Sequence, residues 1–166
     1  MKPALLVIDI QKDFYQEDEV SAKLLQSAVD YLNYIIPLFR EKGYPVICIQ
    51  HMVKAHGFVP GHSGFDIPDD LPIEEGDIRI YKEYSNSFNK TELKQKLEEL
   101  SVDTVFITGY SALHCVLATY RGAQDLDLKP IFIRGAISGG TPEEVKMAEQ
   151  VGDIISYGAL RAFFEL

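Results

Sequence analysis

Cys115 is the residue of this sequence best placed, by type and by context, for covalent chemistry. It lies in the segment GYSALHCV, directly after the apolar run DTVFIT. A thiol in the first turn of a helix faces unpaired N–H groups and the positive end of the helix dipole, and both favour the reactive thiolate. We therefore predict a nucleophile that is alkylated fast near neutral pH, with neighbouring N–H groups that could hold an oxyanion. A small, buried, unreactive cysteine is the alternative.

Two charged residues end apolar runs elsewhere in the chain. Asp9 closes the run LLVI, and Lys82 closes the segment IRIY. Taken singly, Asp9 could be a turn residue and Lys82 a solvated charge. Taken with Cys115, they form a set of nucleophile, acid–base carboxylate and orienting cation. The three come from separate strand ends, as the residues of sites on open sheets commonly do.

Short apolar runs alternate with longer amphipathic segments along the whole chain. The pattern predicts strands over 4–9, 45–51, 78–82, 103–109, 129–134 and 153–157, and helices over 21–41, 91–100, 113–125, from Thr141 onward and over 158–166. Strands separated by helices indicate right-handed crossovers. The expected fold is therefore a three-layer α/β sandwich with a mostly parallel, six-stranded, Rossmann-like sheet. In such sheets ligands bind beyond the carboxyl ends of the strands, where Asp9, His51, Lys82 and Gly109 fall.

Composition narrows the class of protein. The chain has 166 residues, 46% hydrophobic and 25% charged, which predicts one folded domain over 1–166. Its 25 acidic residues against 16 lysines and arginines give a net charge of −9, so we expect binding to neither nucleic acid nor membrane. Only two cysteines occur, and the first apolar run is too short for a signal peptide or a membrane span. A cytoplasmic location follows as an expectation.

Three segments of the chain resemble a known family in order and spacing. DIQKDF, from Asp9, resembles the D-x-Q-x-D-F opening of isochorismatase-like cysteine hydrolases, the relatives of nicotinamidase and N-carbamoylsarcosine amidohydrolase. KEYSNSF, from Lys82, resembles their K-x-x-x-S-x-F segment. The run from Gly109 through Cys115 to Thr119 resembles their G-x-x-x-x-x-C-V-x-x-T segment. Together the segments span most of the chain, so the fold of that family is implied as well.

The resemblance implies a mechanism and a role for each residue. Cys115 would be the nucleophile, Asp9 would take its proton and return it to the leaving amine, and Lys82 would orient the pair. A cis peptide at Tyr110–Ser111 is also implied, with the N–H groups of Ser111 and Cys115 as the oxyanion hole. The implied reaction is hydrolysis of an amide, carbamoyl or ureido C–N bond through a thioester-type acyl-enzyme. Relatives that cleave the vinyl ether of isochorismate lack the cysteine.

Several aromatic and polar side chains flank these segments. We expect them to line a pocket for a small planar amide; they are Phe14, Tyr84, Phe88, Tyr110 and His114.

Other positions depart from the family pattern and leave the substrate open. The departures are Ala112, Leu113, Tyr120, Gly122 and Gly135. They motivate an alternative, a catalytically degenerate protein that binds a small molecule or a partner.

Metal binding, a serine nucleophile and a phosphoacceptor are the alternative chemistries that the sequence offers. His51, His56 and His62 could bind a divalent metal, but Ile49 stands where nicotinamidases have an Asp two residues before a His, so we expect no cofactor. Ser111 only half matches the G-x-S-x-G elbow, since Leu113 replaces the second glycine. A receiver domain with Asp9 as acceptor is disfavoured, because receivers carry the acceptor Asp and the Lys on later strands.

A homo-oligomer, dimer or tetramer, is expected from the family resemblance and from the apolar C-terminal helix.

Overall fold

The computed structural model describes residues 1–165 and is built on a six-stranded sheet. The strands are β1 (Pro3–Ile8), β2 (Val46–His51), β3 (Ile78–Lys82), β4 (Thr104–Gly109), β5 (Lys129–Ile137) and β6 (Ile154–Ile155). Their order is β3-β2-β1-β4-β5-β6, and every pair runs parallel. The predicted number of strands and the parallel sheet are confirmed.

Helices cover both faces of this sheet. They are α1 (Glu19–Glu41), α2 (Leu93–Glu99), α3 (Leu117–Gln124), α4 (Pro142–Val151) and α5 (Tyr157–Glu165), with a π-helical turn (Ala112–Val116) ahead of α3 and short 3₁₀ turns at Lys12–Gln16, Lys54–His56 and Ser63–Phe65. One core contains Leu32 of α1 and Phe164 of α5. The other contains Leu97 of α2, Tyr120 of α3 and Ala148 of α4. The predicted three-layer architecture is therefore confirmed.

The central strand β1 shows why an unbroken apolar run forms here. Leu5 and Val7 pack into the core beneath α1, whereas Leu6 and Ile8 pack into the opposite core. Because successive side chains of a strand point to opposite faces, a strand covered on both sides must be apolar at every position. Each such side chain contributes about 1.5–3 kcal/mol through its burial.

The chain reverses its direction of travel across the sheet at β1. It passes from β1 to β2 and β3 on one side, then returns to place β4 on the other side of β1. The carboxyl ends of β1 and β4 therefore flank the crevice in which open α/β sheets bind ligands. Asp9 follows β1, and the turn that carries Cys115 follows β4.

Local details differ from the sequence-based expectation in three places. The helix expected over 21–41 begins two residues earlier, at Glu19, and continues past the internal Pro37 to Glu41, so that Phe39 is buried. The expected helix over 113–125 begins instead as the π-helical turn before α3. The last strand has only two residues, because β6 pairs only with Phe132 and Ile133 of β5.

The two last helices begin near where the sequence places them. The Thr141 hydroxyl accepts a hydrogen bond from the Glu144 N–H at 3.3 Å, with Pro142 as the first helical residue. The helix expected over 158–166 begins at Tyr157, and residue 166 lies outside the described residues. α5 buries Leu160 and Phe164, while Phe163 stays 49% exposed.

Within residues 1–165, no helix combines the length and the apolar character needed to cross a lipid bilayer.

Candidate active site

Three side chains from distant parts of the chain meet at the carboxyl edge of the sheet. The Nζ atom of Lys82 lies 2.7 Å from Oδ2 of Asp9 and 3.2 Å from Sγ of Cys115. The side chains of Lys82 and Asp9 are 0% and 2% exposed, whereas Cys115 is only partly buried. Sulfur is thus the member of the trio that a molecule in solution can approach.

The backbone at the ends of β1 and β4 allows Asp9 and Cys115 to lie close together. Gly109 has φ of 117°, and a Cβ atom at this position would lie 2.0 Å from the carbonyl oxygen of Ile8. Only glycine allows both this conformation and so close a contact. Asp9 itself is left-handed, with φ of 53°, which aspartate tolerates better than most residues. The two turns can therefore bring Asp9 and Cys115 together.

A pair of hydroxyl groups joins the segment after Lys82 to the helix after Cys115. The Oγ atoms of Ser87 and Thr119 are 2.8 Å apart, and the Ser87 N–H donates to Thr119 at 3.1 Å; both residues are buried. In the K-x-x-x-S-x-F frame the serine position falls on Asn86, so the serine that makes this contact is the next residue. The contact gives two of the three sequence segments a shared structural role.

Gln11, which the sequence analysis did not single out, ties β1 to the end of β2. Its side chain accepts from the His51 N–H at 2.7 Å and donates to the His51 carbonyl at 3.0 Å and the Phe65 carbonyl at 3.1 Å. Gln11 is fully buried, so no water molecule could take over the hydrogen bonds that its side chain makes with these backbone groups. Gln11 is the glutamine of the D-x-Q-x-D-F segment, and this was the sequence feature that could have indicated its role.

We expect the substitution Gln11→Leu to lower the free energy of unfolding by about 2–3 kcal/mol, since it leaves buried backbone groups without partners. Urea denaturation followed by circular dichroism measures the change. The matched control is Gln95→Leu, because Gln95 is exposed and bonds only to Glu99, one turn away; we expect a change within about 0.5 kcal/mol there. Equal effects of the two substitutions would contradict the role assigned to Gln11.

The electrostatics of the trio keep the proton on sulfur at rest. Burial raises the pKa of Cys115 to about 12; the Asp9 carboxylate adds to the rise, and Lys82 opposes it. Burial also raises the pKa of Asp9, and the Lys82 ammonium opposes that rise. At neutral pH the thiol form therefore predominates, which differs from the resting, fast-alkylating thiolate expected from the helix terminus alone. Oδ1 of Asp9, which has no hydrogen-bond partner among the described residues, is available as a base.

His51 is the fourth side chain at this site. Its Nδ1 atom lies 3.2 Å from Nζ of Lys82, directly across from it in the β2–β3 register. Burial lowers the pKa of His51, and repulsion by Lys82 lowers it further. The sequence places His51 at the end of a strand, where ligands bind, but indicates a chemical role for it only as a metal ligand. In the structure its position at the end of β2 lies between the strands that lead to Asp9 and Lys82.

The three histidines that were alternative metal-ligand candidates do not form a cluster among the described residues. His56 and His62 are exposed, and the Nδ1 atom of His62 accepts from the Gly64 N–H at 3.1 Å. In the described part of the chain, the group with metal-ligand atoms within 4.8 Å of one another is Asp9, His51 and Cys115. The Lys82 ammonium contacts all three of these ligands, so a metal ion would have to share the space with a buried positive charge. These residues do not fit a metal.

Two of the predicted pocket residues lie together. The rings of Phe14 and Tyr110 are 5.1 Å apart, and the Tyr110 hydroxyl donates to Glu17. Phe58 adds a third ring 6.1 Å from Phe14. Phe58 belongs to the long loop between β2 and β3, which carries no periodic pattern that could have indicated it. Phe14, Phe58 and Tyr110 thus form an aromatic cluster.

The structure places the other predicted pocket residues further from one another. Tyr84 is 41% exposed and accepts a hydrogen bond from Lys90 at 2.8 Å. Phe88 packs against the core on the α2–α4 side of the sheet and lines a surface cavity with Gly122. His114 is exposed on the π-helical turn beside Cys115. Their contact with a substrate stays a prediction.

The turn before Cys115 contains the cis peptide that the family resemblance implies, between Tyr110 and Ser111. The N–H of Ala112 donates to the Ser138 carbonyl, and the N–H groups of His114 and Val116 donate to the Ser111 carbonyl. Within residues 1–165, no loop or cap hydrogen bond uses the N–H of Ser111 or Cys115. These two groups therefore stay candidates for an oxyanion hole.

Two of the departures from the family pattern, Gly122 and Tyr120, have packing explanations. A Cβ atom at Gly122 would lie 2.4 Å from the Asn86 side chain, so glycine lets the segment after Lys82 lie against α3. Tyr120 is buried against Phe132 at 4.4 Å between ring centres, and its hydroxyl accepts from the Asp153 N–H. These two departures affect packing around α3, while Lys82 keeps its contacts with Asp9 and Cys115.

Comparisons with known proteins agree with this architecture. A family model described as the isochorismatase domain matches residues 3–151. The uncharacterized isochorismatase family protein YrdC of Bacillus subtilis is 34% identical over 81% of this chain and 73% of its own length. A probable inactive nicotinamidase of Arabidopsis thaliana is 30% identical over 84% of this chain and 82% of its own length.

Solved structures share the fold. An isochorismatase-like hydrolase from Alkaliphilus metalliredigens has a TM-score of 0.89 at 22% identity, with 99% of both chains covered. N-carbamoylsarcosine amidase from Thermoplasma acidophilum has a TM-score of 0.81 at 23% identity, with 94% of this chain and 96% of that chain covered. The family model spans most of the sequence, and the fold agrees along its length. The chain therefore belongs to the isochorismatase family.

Proposed function

We propose that this protein is a cysteine hydrolase that cleaves a C–N bond in a small amide, carbamoyl or ureido compound. The observation that carries the proposal is the buried Lys82 ammonium, hydrogen-bonded to both the Asp9 carboxylate and the Cys115 sulfur. A nucleophile, a base within reach of it and a third group that orients both are the features of covalent catalysis.

The first half of the reaction forms a thioester. Asp9 accepts the proton of the Cys115 thiol as sulfur attacks the carbonyl carbon, and Lys82 stabilises the negative charge that passes between them. The N–H groups of Ser111 and Cys115 donate to the oxyanion, a contribution of about 3–4 kcal/mol per donor in other hydrolases. Asp9 then gives its proton to the nitrogen, the C–N bond breaks and the amine leaves.

The second half regenerates the thiol. Asp9 removes a proton from a water molecule as the water oxygen attacks the thioester carbonyl. The C–S bond breaks, the acid product leaves, and Asp9 returns the proton to sulfur. The raised pKa of Cys115 suits this cycle, because the resting thiol and the carboxylate exchange one proton in each half-reaction.

The comparisons bear on this proposal in opposite directions. One structural neighbour is an N-carbamoylsarcosine amidase, which favours C–N cleavage. The Arabidopsis relative is a probable inactive nicotinamidase, which favours a catalytically degenerate binding protein. The intact contacts of Lys82 with Asp9 and Cys115 favour the enzyme over the binding protein.

A substrate panel tests the proposal. Purified protein is incubated with primary amides, N-carbamoyl amino acids and ureides, and released ammonia is measured with and without EDTA. We expect turnover of at least one compound, unchanged by the chelator, because no step uses a metal. Absence of turnover across the panel, together with saturable binding of a panel member, would favour the degenerate binding protein instead.

We also propose that the protein is a homo-oligomer, a dimer or a tetramer. Exposed apolar side chains on α4 and α5 support this, among them Met147, Val151 and Phe163. Multi-angle light scattering at micromolar concentration measures the mass directly. A mass equal to the 18.7 kDa of one chain would overturn the proposal.

A further inference from the structure

The Lys82 ammonium is sealed from solvent and needs partners for all of its protons. The side chain is 0% exposed, and an ammonium carries three N–H donors. A buried charged donor without an acceptor is strongly unfavourable. Within residues 1–165, Nζ has three partners: Oδ2 of Asp9 at 2.7 Å, Sγ of Cys115 at 3.2 Å and Nδ1 of His51 at 3.2 Å. The number of partners equals the number of protons.

We propose that His51 is a positioning residue, whose neutral ring accepts the third hydrogen bond of Lys82 at Nδ1 and so holds the ammonium between Asp9 and Cys115. This inference rests on the proposed function, because it concerns the group that orients the nucleophile and its base. It assigns His51 no contact with substrate.

The backbone holds His51 firmly enough for that role. Gln11 bonds to both its N–H and its carbonyl, and the Cα atom of His51 pairs with that of Lys82 in the β2–β3 register. The backbone that carries the ring is therefore fixed directly beside the backbone of Lys82. A freely rotating surface histidine could not maintain a hydrogen bond to a group with no access to water.

The charges around His51 favour its neutral form. Lys82 faces it from β3, Asp9 from β1 and Cys115 from the π-helical turn, and Glu83 lies just beyond β3. Burial and Lys82 outweigh the two carboxylates and lower the pKa of His51 below its ordinary value. The neutral ring must then carry its proton on Nε2, since Nδ1 acts as the acceptor.

The tautomer can be read in the unaltered protein. Long-range ¹H–¹⁵N spectra at pH 8 separate a protonated ring nitrogen from an unprotonated one. We expect the His51 signals, assigned by their loss in His51→Asn, to show a proton on Nε2 and none on Nδ1. A proton on Nδ1 would overturn the inference, because that nitrogen could no longer accept from Lys82.

Substitution tests the consequence for the nucleophile. His51→Leu removes the acceptor, whereas His51→Asn retains an acceptor oxygen close to the position of Nδ1. We expect the rate of Cys115 alkylation by iodoacetamide at pH 8 to fall about 10-fold in the leucine variant and to recover to within about 3-fold in the asparagine variant. Peptide mass spectrometry separates Cys115 from Cys48. Equal rates in all three proteins would mean that His51 has only a packing role.

These measurements need no substrate, so they separate the two proposals. A protein that hydrolyses nothing in the panel but shows the expected tautomer and alkylation pattern would refute the enzyme and keep the role of His51. Full turnover together with an Nδ1-protonated His51 would support the enzyme and refute the role of His51. Should His51→Leu fail to fold, the tautomer in the wild-type protein still decides the matter.

Discussion

The substitution Cys115→Ser is expected to lower kcat for the compound identified in the panel by at least about 1000-fold. Oxygen keeps the size and polarity of the side chain but holds its proton far more tightly than sulfur does. The raised pKa of Asp9 does not make that carboxylate a base strong enough for an alcohol. Steady-state ammonia release measures the effect. Because Cys115 is only partly buried, we expect the variant to fold normally.

Cys48 supplies the matched control for this experiment. It is the other free cysteine and lies buried in β2, away from the trio. Burial raises its pKa to about 12, as it does for Cys115. Cys48→Ala removes a thiol of similar acidity, so we expect it to cost stability but to keep kcat within about 2-fold. Full turnover in Cys115→Ser, or equal losses in both variants, would refute sulfur as the nucleophile.

Lys82→Met is expected to have the largest effect on stability. The substitution leaves the Asp9 carboxylate buried without its counter-charge, which costs about 3–5 kcal/mol in comparable cases. Chemical denaturation at pH 7 measures this loss, and ammonia release should be abolished in parallel. The control is Lys54→Met, which breaks the exposed 2.6 Å ion pair with Glu83. We expect a change there of less than about 1 kcal/mol.

The pH dependence of Lys82→Met follows from Asp9. Burial already raises the pKa of Asp9, and loss of the opposing ammonium raises it further. The folded variant then binds the proton of the Asp9 carboxyl group more tightly than the unfolded chain does. The contribution of Asp9 to the free energy of unfolding should therefore be greatest below about pH 4, its unfolded-state pKa, and be lost as the pH rises through the folded-state value. The reference is the variant Asp9→Asn with Lys82→Met, which lacks this carboxylate. If the stability of Lys82→Met rose relative to that reference over this pH range, the assignment would be contradicted.

A double substitution separates charge from packing. Asp9→Asn with Lys82→Met removes both charges, so we expect it to recover most of the stability lost in Lys82→Met and to remove the pH slope. Asparagine also tolerates the left-handed conformation at this position. Activity should stay absent, because the base and the orienting cation are both missing. No recovery of stability would indicate that packing around Lys82, and not the unpaired charge, caused the loss.

Much of the fold followed from the sequence because it depends on local periodicity. The unbroken apolar runs at β1 and β4 predict strands buried on both faces, and the order of strands and helices predicts the parallel sheet. The capping of α4 by Thr141 depends on residues that are neighbours in the chain. Placing Asp9, Lys82 and Cys115 at one edge needs only the rule that parallel strands end together.

Other features are decided by contacts between distant segments. Gln11 and His51 are 40 positions apart, and no local pattern shows that one holds the other. The raised pKa of Cys115 could not be predicted from its position in the chain, because it results from burial and the Asp9 charge, which outweigh Lys82. The sequence by itself determined which chemical groups reach the carboxyl edge of the sheet. Only the tertiary structure decided their distances, their exposure to water and hence their charge states, because desolvation and Coulomb energies depend on separation in space and not along the chain.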